Sequence, residues 1–299
     1  MANSKFDLKK VLVQIETENS TQPALDKALT LAKFCDIEIV LLSCDHSQYL
    51  VEGYFFESVE IPDLREAYLD NKVDQLEALA APLREKGLKV STKALWSYPP
   101  YETLAEQAIS LEVDLLIHSV ARHGAISRLF LTHDDWQLIR CCPVPLLLVK
   151  EKAWNNIPKV IAAVDPKHAR HKPSGLDHKI LNTAIDLSNI LLGKVYALHA
   201  YGSAFLTETQ RIQNRKEHLI AFTELMEGFD VEKNKQVIME EAPEFALHKL
   251  EMELKADLVV MGAVSRSQLS KVFIGNTTER VLDYLNSDVL VLKPDSFSL

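Results

Sequence analysis

Short apolar runs alternate with longer amphipathic stretches along the whole chain. The apolar runs predict β-strands, and several are apolar throughout, as strands covered on both faces are. In the first half, the predicted strands are residues 10–15, 37–43, 88–95, 114–120 and 145–149. In the second half, they are residues 158–164, 194–200, 234–240, 257–263 and 288–292.

Between the predicted strands, apolar residues recur three and four positions apart, which indicates helices with one buried face. The clearest such segments are residues 26–34, 74–86, 179–192 and 245–255. Alternating strands and helices favour βαβ crossovers, which build a parallel sheet. The apolar-rich segment 55–61, in the connection after the second strand, is either a lid over a cleft or part of the core.

The two halves of the chain repeat one another. Residues 114–150 align with residues 257–293 without a gap, at a constant offset of 143 positions. A fixed internal period indicates a duplicated structural unit. We therefore predict an α/β fold of two tandem, doubly wound domains, each with a parallel five-stranded, Rossmann-like sheet. The predicted domains are residues 1–152 and residues 153–299.

Composition excludes several classes of protein. Of the 299 residues, 47% are hydrophobic and 25% are charged, which excludes a disordered chain. The net charge of −9 offers no basic footprint for nucleic acid or for an anionic membrane. No apolar run is long enough to span a bilayer, and the N-terminus lacks the apolar core of a secretory signal. The four cysteines show no CxxC spacing, which favours a reducing compartment, and we expect a cytoplasmic protein. From the charge and the apolar runs, we expect no nucleic-acid or membrane partner.

The strongest candidate for ligand binding is a loop in the second half. It follows the strand that ends at Gly262, and a helix is predicted to begin at Gly275-Asn276-Thr277. Glycine lets a backbone approach a ligand closely, and the unpaired amides of a helix start attract phosphate oxygens. The alternative is that Asn276 and Glu279 form a capping box, which would stabilise the helix by roughly 1 kcal/mol and need no ligand.

This segment resembles the ATP-binding loop of the universal stress protein family. The family pattern is a glycine, two residues, a second glycine, nine residues, a third glycine, and a serine or threonine. Gly262 and Gly275 match the first and third glycines. Ser265 and Asn276 depart from the pattern, although Thr277 follows directly. Both halves have the family's length and spacing of strands, and the tandem arrangement resembles the family's double-domain members in bacteria.

The resemblance implies a universal-stress-protein-like fold for each half and an adenine nucleotide site, for ATP or a related nucleotide, in the second. In nucleotide-binding members, an aspartate ends the first strand near the adenosine, which matches Asp165. A residue that ends the second strand meets adenine through its backbone, which matches Ala200. The implied binding residues are Asp165, Ala200, Met261, Gly262, Ser265, Gly275, Asn276 and Thr277.

The first half carries different residues at the same positions. Ser119 stands where the second half has Gly262, and Asp134 and Asp135 enter the first turn of the following helix. Carboxylates there satisfy the helix dipole and repel a phosphate. We therefore predict that the first half has a degenerate loop and does not bind ATP in the family's manner.

The sequence shows no recognisable catalytic or metal constellation. It has no nucleophile elbow, and the histidines that follow Asp165 lack a standard zinc spacing. We expect a stress-response regulatory protein that binds a small ligand. The alternatives are a weak ATPase and a scaffold or carrier for an apolar ligand. The resemblance also implies that the final strands of the two halves pair within the chain, or across a homodimer.

Overall fold

The computed structural model describes residues 6–46, 61–120, 131–167, 175–263, 281–282 and 284–295. Contacts divide the chain into two units. The first unit contains Leu8–Ser119 and His133–Glu151, and the second contains the chain from Lys152 onward. Residues 6–7 belong to the second unit, where Phe6 N donates to Asp186 Oδ2 at 2.6 Å.

The first unit contains a parallel sheet with the strand order β3-β2-β1-β4-β5. Its strands are β1 (Lys10–Gln14), β2 (Glu38–Asp45), β3 (Lys89–Trp96), β4 (Leu115–Ser119) and β5 (Leu146–Val149). Its described helices are α1 (Pro23–Ala32), α2 (Ile61–Glu85), α3 (Pro100–Ser110) and α4 (His133–Cys141).

The second unit contains a parallel sheet with the equivalent order β8-β7-β6-β9-β10. Its strands are β6 (Lys159–Val164), β7 (Lys194–Ala200), β8 (Gln236–Met239), β9 (Leu258–Gly262) and β10 (Asp288–Leu292). Its described helices are α5 (Leu176–Ile190), α6 (Glu208–Met226) and α7 (Pro243–Leu254). The same topology in both units confirms the predicted tandem α/β fold.

The predicted strands are all present, with bounds that differ by at most two residues. Their interiors form the cores of the two units, since residues such as Val11–Val13 and Leu258–Val260 are fully buried. Burial on both faces explains why these strands read as continuous apolar runs. Of the segment 55–61, only Ile61 lies within the described residues, where it begins α2.

Local sequence signals mark several helix starts. Pro23, Pro100 and Pro243 each occupy the first position of a helix, where a missing N–H costs nothing. At the start of α6, Thr207 and Gln210 form a capping box. No helix in the described part of the chain is both long enough and apolar enough to cross a bilayer.

The pairing registers align the two units residue by residue. Val11 of β1 lies opposite Leu115 of β4, as Val160 of β6 lies opposite Leu258 of β9. The same alignment relates β2 to β7 and β3 to β8. Each position at the carboxyl edge of one sheet therefore has a counterpart in the other.

Candidate functional site

The four described residues of the predicted site lie at one edge of the second sheet. Asp165 follows β6, Ala200 ends β7, and Met261 and Gly262 end β9. Because β6 lies between β7 and β9, the carboxyl ends of these three strands are adjacent. The strand order reverses between β6 and β9, and doubly wound sheets bind ligands at such a point. The remaining predicted residues lie outside the described ones, namely Ser265, Gly275, Asn276 and Thr277.

The Ala200 carbonyl is an acceptor that the sheet does not use. Ala200 lies opposite Met239 of β8, and Tyr201 N donates to Met239 O at 3.0 Å. Since successive residues of a parallel strand turn their backbone groups to opposite neighbours, the Ala200 carbonyl faces the side of β6. The donor that would continue the ladder there is the amide of residue 166, but Pro166 has no N–H. Strand β6 therefore offers this carbonyl no N–H donor.

Asp165 holds a carboxylate at the same edge. Its amide donates to Asp177 Oδ1 at 3.0 Å, which ties the residue to the first turn of α5. Its side chain is 42% exposed, and its Oδ1 lies 4.0 Å from Nδ1 of His199. The backbone is thus fixed, and the carboxylate lies partly exposed at the end of β6.

A buried pair of histidines lies behind the strand ends. His199 of β7 and His218 of α6 are both buried, with 2.8 Å between His199 Nε2 and His218 Nδ1. His199 Nδ1 lies 3.2 Å from the Val164 carbonyl, which can only accept, so this nitrogen carries a hydrogen. In the neutral pair, His199 Nε2 then accepts from His218 Nδ1. The Tyr201 ring stacks on His218, with centroids 4.2 Å apart. The pair ties the ends of β6 and β7 to α6.

Sequence reasoning missed these two histidines. The alternation in β7 places His199 on the same side of the sheet as Ala197. His218, Phe222 and Met226 are the buried residues of α6, and they recur at intervals of four. Both histidines therefore occupy positions of an apolar pattern, and that pattern is the signal that could have identified them.

Gly262 has a packing role that the sequence did not predict. A Cβ atom at this position would lie 2.7 Å from Leu176 Cδ2 and 3.3 Å from Ile180 Cδ1. Both contacted side chains belong to α5. The absence of a side chain at Gly262 therefore lets α5 pack closely on the sheet, whether or not a ligand binds.

The sequence pattern of the universal stress protein family matches the chain twice, over residues 7–150 and over residues 174–293. The chain belongs to the universal stress protein family. Membership makes it a stress-response protein with two tandem family domains.

Relatives of this universal stress protein cover almost its full length. It is 28% identical to universal stress protein E of Photorhabdus laumondii subsp. laumondii, over 96% of this chain and 95% of the relative. It is also 28% identical to universal stress protein E of Escherichia coli K12, over 96% of this chain and 94% of the relative. These matches confirm the tandem resemblance.

Two solved structures share the fold over nearly the whole chain. A functionally unknown protein from Pseudomonas aeruginosa PAO1 has a TM-score of 0.77 at 27% identity, covering 98% of this chain and 95% of that one. A universal stress protein from Archaeoglobus fulgidus DSM 4304 has a TM-score of 0.62 at 17% identity, covering 95% and 98%.

In the first unit of this universal stress protein, the counterparts of Met261 and Gly262 are bound by the protein's own groups. His118, at the position of Met261, has Nε2 2.5 Å from Asp135 Oδ1, and its Nδ1 contacts the Gln14 side chain. Asp135 lies in the first turn of α4, whereas Gln14 and His118 lie at the carboxyl ends of β1 and β4. A carboxylate thus occupies the helix start where the second unit is predicted to hold phosphate.

Ser119 makes a further contact at this edge of the first unit. Its Oγ accepts from Ala24 N, at the start of α1, at 3.1 Å. Its counterpart Gly262 instead makes room for a side chain of α5. The two units therefore hold equivalent helices in different ways.

A buried lysine also occupies the carboxyl edge of the first sheet. Lys72 Nζ lies 2.8 Å from Thr17 Oγ1, 2.6 Å from Glu18 Oε1 and 3.0 Å from Asp45 Oδ2. Burial alone would lower the pKa of Lys72, but the hydrogen bonds to Glu18 and Asp45 outweigh it and raise the pKa. Tyr68 also donates to Asp45, at 2.7 Å. These contacts join the segment after β1, the end of β2 and helix α2.

Within the described ranges, no group of three or more His, Cys, Asp or Glu side chains is arranged to hold a metal ion. All four cysteines are described, and none forms a disulfide. Burial raises the pKa of the Cys44 thiol to about 12, so this side chain stays a thiol at neutral pH.

Proposed function

We propose that this universal stress protein is a regulatory protein that binds an adenine nucleotide, such as ATP, at the carboxyl edge of its second sheet. The observation that carries the proposal is the Ala200 carbonyl, which Pro166 leaves without a donor from the sheet. Ala200 is only partly buried, so a ligand can reach its carbonyl, and a ligand that supplies an N–H gains a hydrogen bond there. The 6-amino group of adenine is such a donor.

The neighbouring residues suit the rest of an adenine nucleotide. The exposed carboxylate of Asp165 can accept hydrogen bonds from ribose hydroxyls. Met261 and Gly262 end the strand on the other side of β6, beside the proposed ribose and phosphate positions. The phosphates are assigned from the sequence motif to Ser265, Gly275, Asn276 and Thr277, since backbone amides at a helix start bind phosphate oxygens.

We propose that the first unit does not bind nucleotide in this way. Asp135 brings a carboxylate to the helix start where phosphate would bind, and it contacts His118. Nucleotide occupancy of one unit is then the regulatory signal, without a requirement for hydrolysis. The sequence has only four cysteines and no CxxC spacing, which favours a reducing compartment, and we propose the cytoplasm. Pairing of the final strands with each other, and a homodimer, stay predictions.

The decisive experiment compares ATP with inosine triphosphate by isothermal titration calorimetry on the full chain. Inosine has a carbonyl where adenine has the 6-amino group, so position 6 of its base cannot donate to the Ala200 carbonyl. We expect inosine triphosphate to bind at least roughly tenfold more weakly than ATP, because the lost hydrogen bond leaves two acceptors facing each other. Equal affinities for the two nucleotides, or no ATP binding, would contradict the proposal.

Two variants locate the site. Pro166→Ala restores an N–H that competes for the Ala200 carbonyl, so it should weaken ATP binding and reduce the preference for ATP over inosine triphosphate. Pro23→Ala, at the start of a helix in the first unit, is the matched control and should leave both affinities unchanged. Gly275→Asp puts a side chain and a negative charge in the phosphate loop and should abolish stabilisation by ATP.

A further inference from the structure

A pocket of about 210 Å³ lies between α6 and the ends of β7 and β8 in the second unit. Its walls are formed by Tyr201, Arg215, Leu219, Ile238 and Glu240. None of the four described residues of the proposed nucleotide site lines it. We infer that this pocket is a second ligand site, which binds a small aromatic carboxylate independently of the nucleotide.

The two units carry complementary residues at this place. Asp45 and Trp96 are paired at the ends of β2 and β3. By the same register, Tyr201 and Glu240 directly follow the paired ends of β7 and β8. Each unit thus has one aromatic residue and one carboxylate at these two positions, in opposite order.

In the first unit, aromatic side chains fill the space between the helix and the strand ends. Tyr68 of α2 packs edge-on against Trp96, with ring centroids 5.6 Å apart. The guanidinium of Arg65 lies 5.0 Å from the centroid of the Trp96 ring. The second unit has Glu240 in place of Trp96. A ligand ring beside Arg215 would therefore restore there the arrangement of an aromatic ring next to an arginine.

The charges of the pocket favour an anion. Glu240 is already occupied, because Arg211 donates to its Oε1 at 2.8 Å and Ser203 donates to the same oxygen. These bonds from Ser203 and Arg211 hold the pKa of Glu240 below its usual value. Arg211 also lies 3.9 Å from the exposed Glu208. Arg215 is exposed and acts on Glu240 only through its charge, with no carboxylate within 4.0 Å among the described residues. It can therefore form a charge-assisted bond to a ligand carboxylate.

The apolar walls and the size of the pocket favour a single ring. Leu219 is 49% exposed and Ile238 is partly exposed, so a ring placed against them would remove apolar surface from water. Tyr201 is almost fully buried and stacked on His218, which gives the pocket a fixed wall. A cavity of roughly 150 Å³ holds benzene, so a ring with one carboxylate matches the space.

The test is a titration of the full chain with benzoate, followed by the backbone amide signals in ¹H–¹⁵N NMR spectra. We expect the signals of Tyr201 and Ile238 to shift in a saturable manner. Benzyl alcohol has the same ring without the charge and should bind at least roughly tenfold more weakly than benzoate. Arg215→Gln should weaken benzoate binding by a similar factor, whereas the control Lys216→Gln, an exposed neighbour on α6, should not change it.

Leu219→Trp gives an independent check, because the larger ring should fill the pocket from within and abolish benzoate binding. The amide spectra of each variant show whether the fold is kept. The inference is overturned if millimolar benzoate causes no shifts at the pocket, or if Arg215→Gln binds benzoate as the native chain does. Displacement of benzoate by saturating ATP would also overturn it, since the two sites would then not be independent.

Discussion

Asp257 in the second unit and Asp114 in the first hold the same position and make the same contact. Asp257 Oδ2 accepts from Lys159 N at 2.9 Å, and Asp114 Oδ2 accepts from Lys10 N at 2.8 Å. Each carboxylate therefore fixes the start of the first strand of its sheet to the start of the fourth. The duplicated aspartates that align in the sequence thus have a common structural role.

Asp257→Ala should lower the free energy of unfolding by about 1–3 kcal/mol, because the amides of Asn155 and Lys159 lose an acceptor in a partly buried place. Urea unfolding followed by circular dichroism measures the effect. The control is Asp36→Ala, which removes an exposed ion pair with Lys89 and should change stability by less than about 0.5 kcal/mol. A loss at Asp257 no larger than that at Asp36 would show that the contact does not support the sheet.

The Glu77–Arg84 ion pair should make part of the stability of the fold sensitive to acid. Hydrogen bonds from Arg84 and Thr92 lower the pKa of Glu77 from its usual 4.5 to about 2. Because the folded-state pKa lies below the unfolded value, the pair stabilises the fold above pH 4.5, and this contribution is lost as the pH falls toward 2. Both side chains are partly exposed, so solvent screening reduces the effect.

Urea unfolding of the native chain and of Glu77→Gln at pH 7 and pH 3 tests this component. The difference in stability between the two proteins should shrink at pH 3. The control is Glu106→Gln, which alters an exposed carboxylate on α3 and should keep the native pH dependence. A Glu77→Gln variant that loses stability with acid as steeply as the native chain would contradict the prediction.

The sheets could be predicted from the sequence because buried parallel strands are continuous apolar runs. Helix α6 was harder to define, since its buried residues form a single narrow row of His218, Phe222 and Met226. Its exposed face carries apolar residues as well, among them Ile212 and Leu219. A helix that is apolar on several faces has a weak amphipathic pattern.

The candidate site was only partly predictable. Strand ends can be read from one sequence, so Asp165 and Ala200 could be placed at a common edge. The effect of Pro166 on the Ala200 carbonyl depends on the register between two strands, which local sequence does not specify. The pairing of His199 with His218 likewise joins a strand and a helix, and sequence separation alone does not reveal it.

The histidine pair should show strong energetic coupling. His199→Phe and His218→Phe each leave a buried ring nitrogen of the partner without its bond, at a cost of about 1–3 kcal/mol in the free energy of unfolding. The double variant should lose less than the sum of the single losses, by about 0.5–3 kcal/mol. Pairing His199→Phe with a substitution of the exposed His133, in the first unit, should instead give additive losses. Additivity at His199 and His218 would mean that their hydrogen bond contributes little.

Gly262→Ala separates the packing role of this glycine from its proposed role in binding. The added Cβ would lie 2.7 Å from Leu176 Cδ2, so either the side chain or α5 must move. We expect a loss of about 1–3 kcal/mol in the free energy of unfolding, as for other overpacked sites. Combining Gly262→Ala with Leu176→Ala removes the clash, so the double variant should be more stable than the sum of the two single losses predicts. If the losses simply add, Leu176 does not limit the size of residue 262.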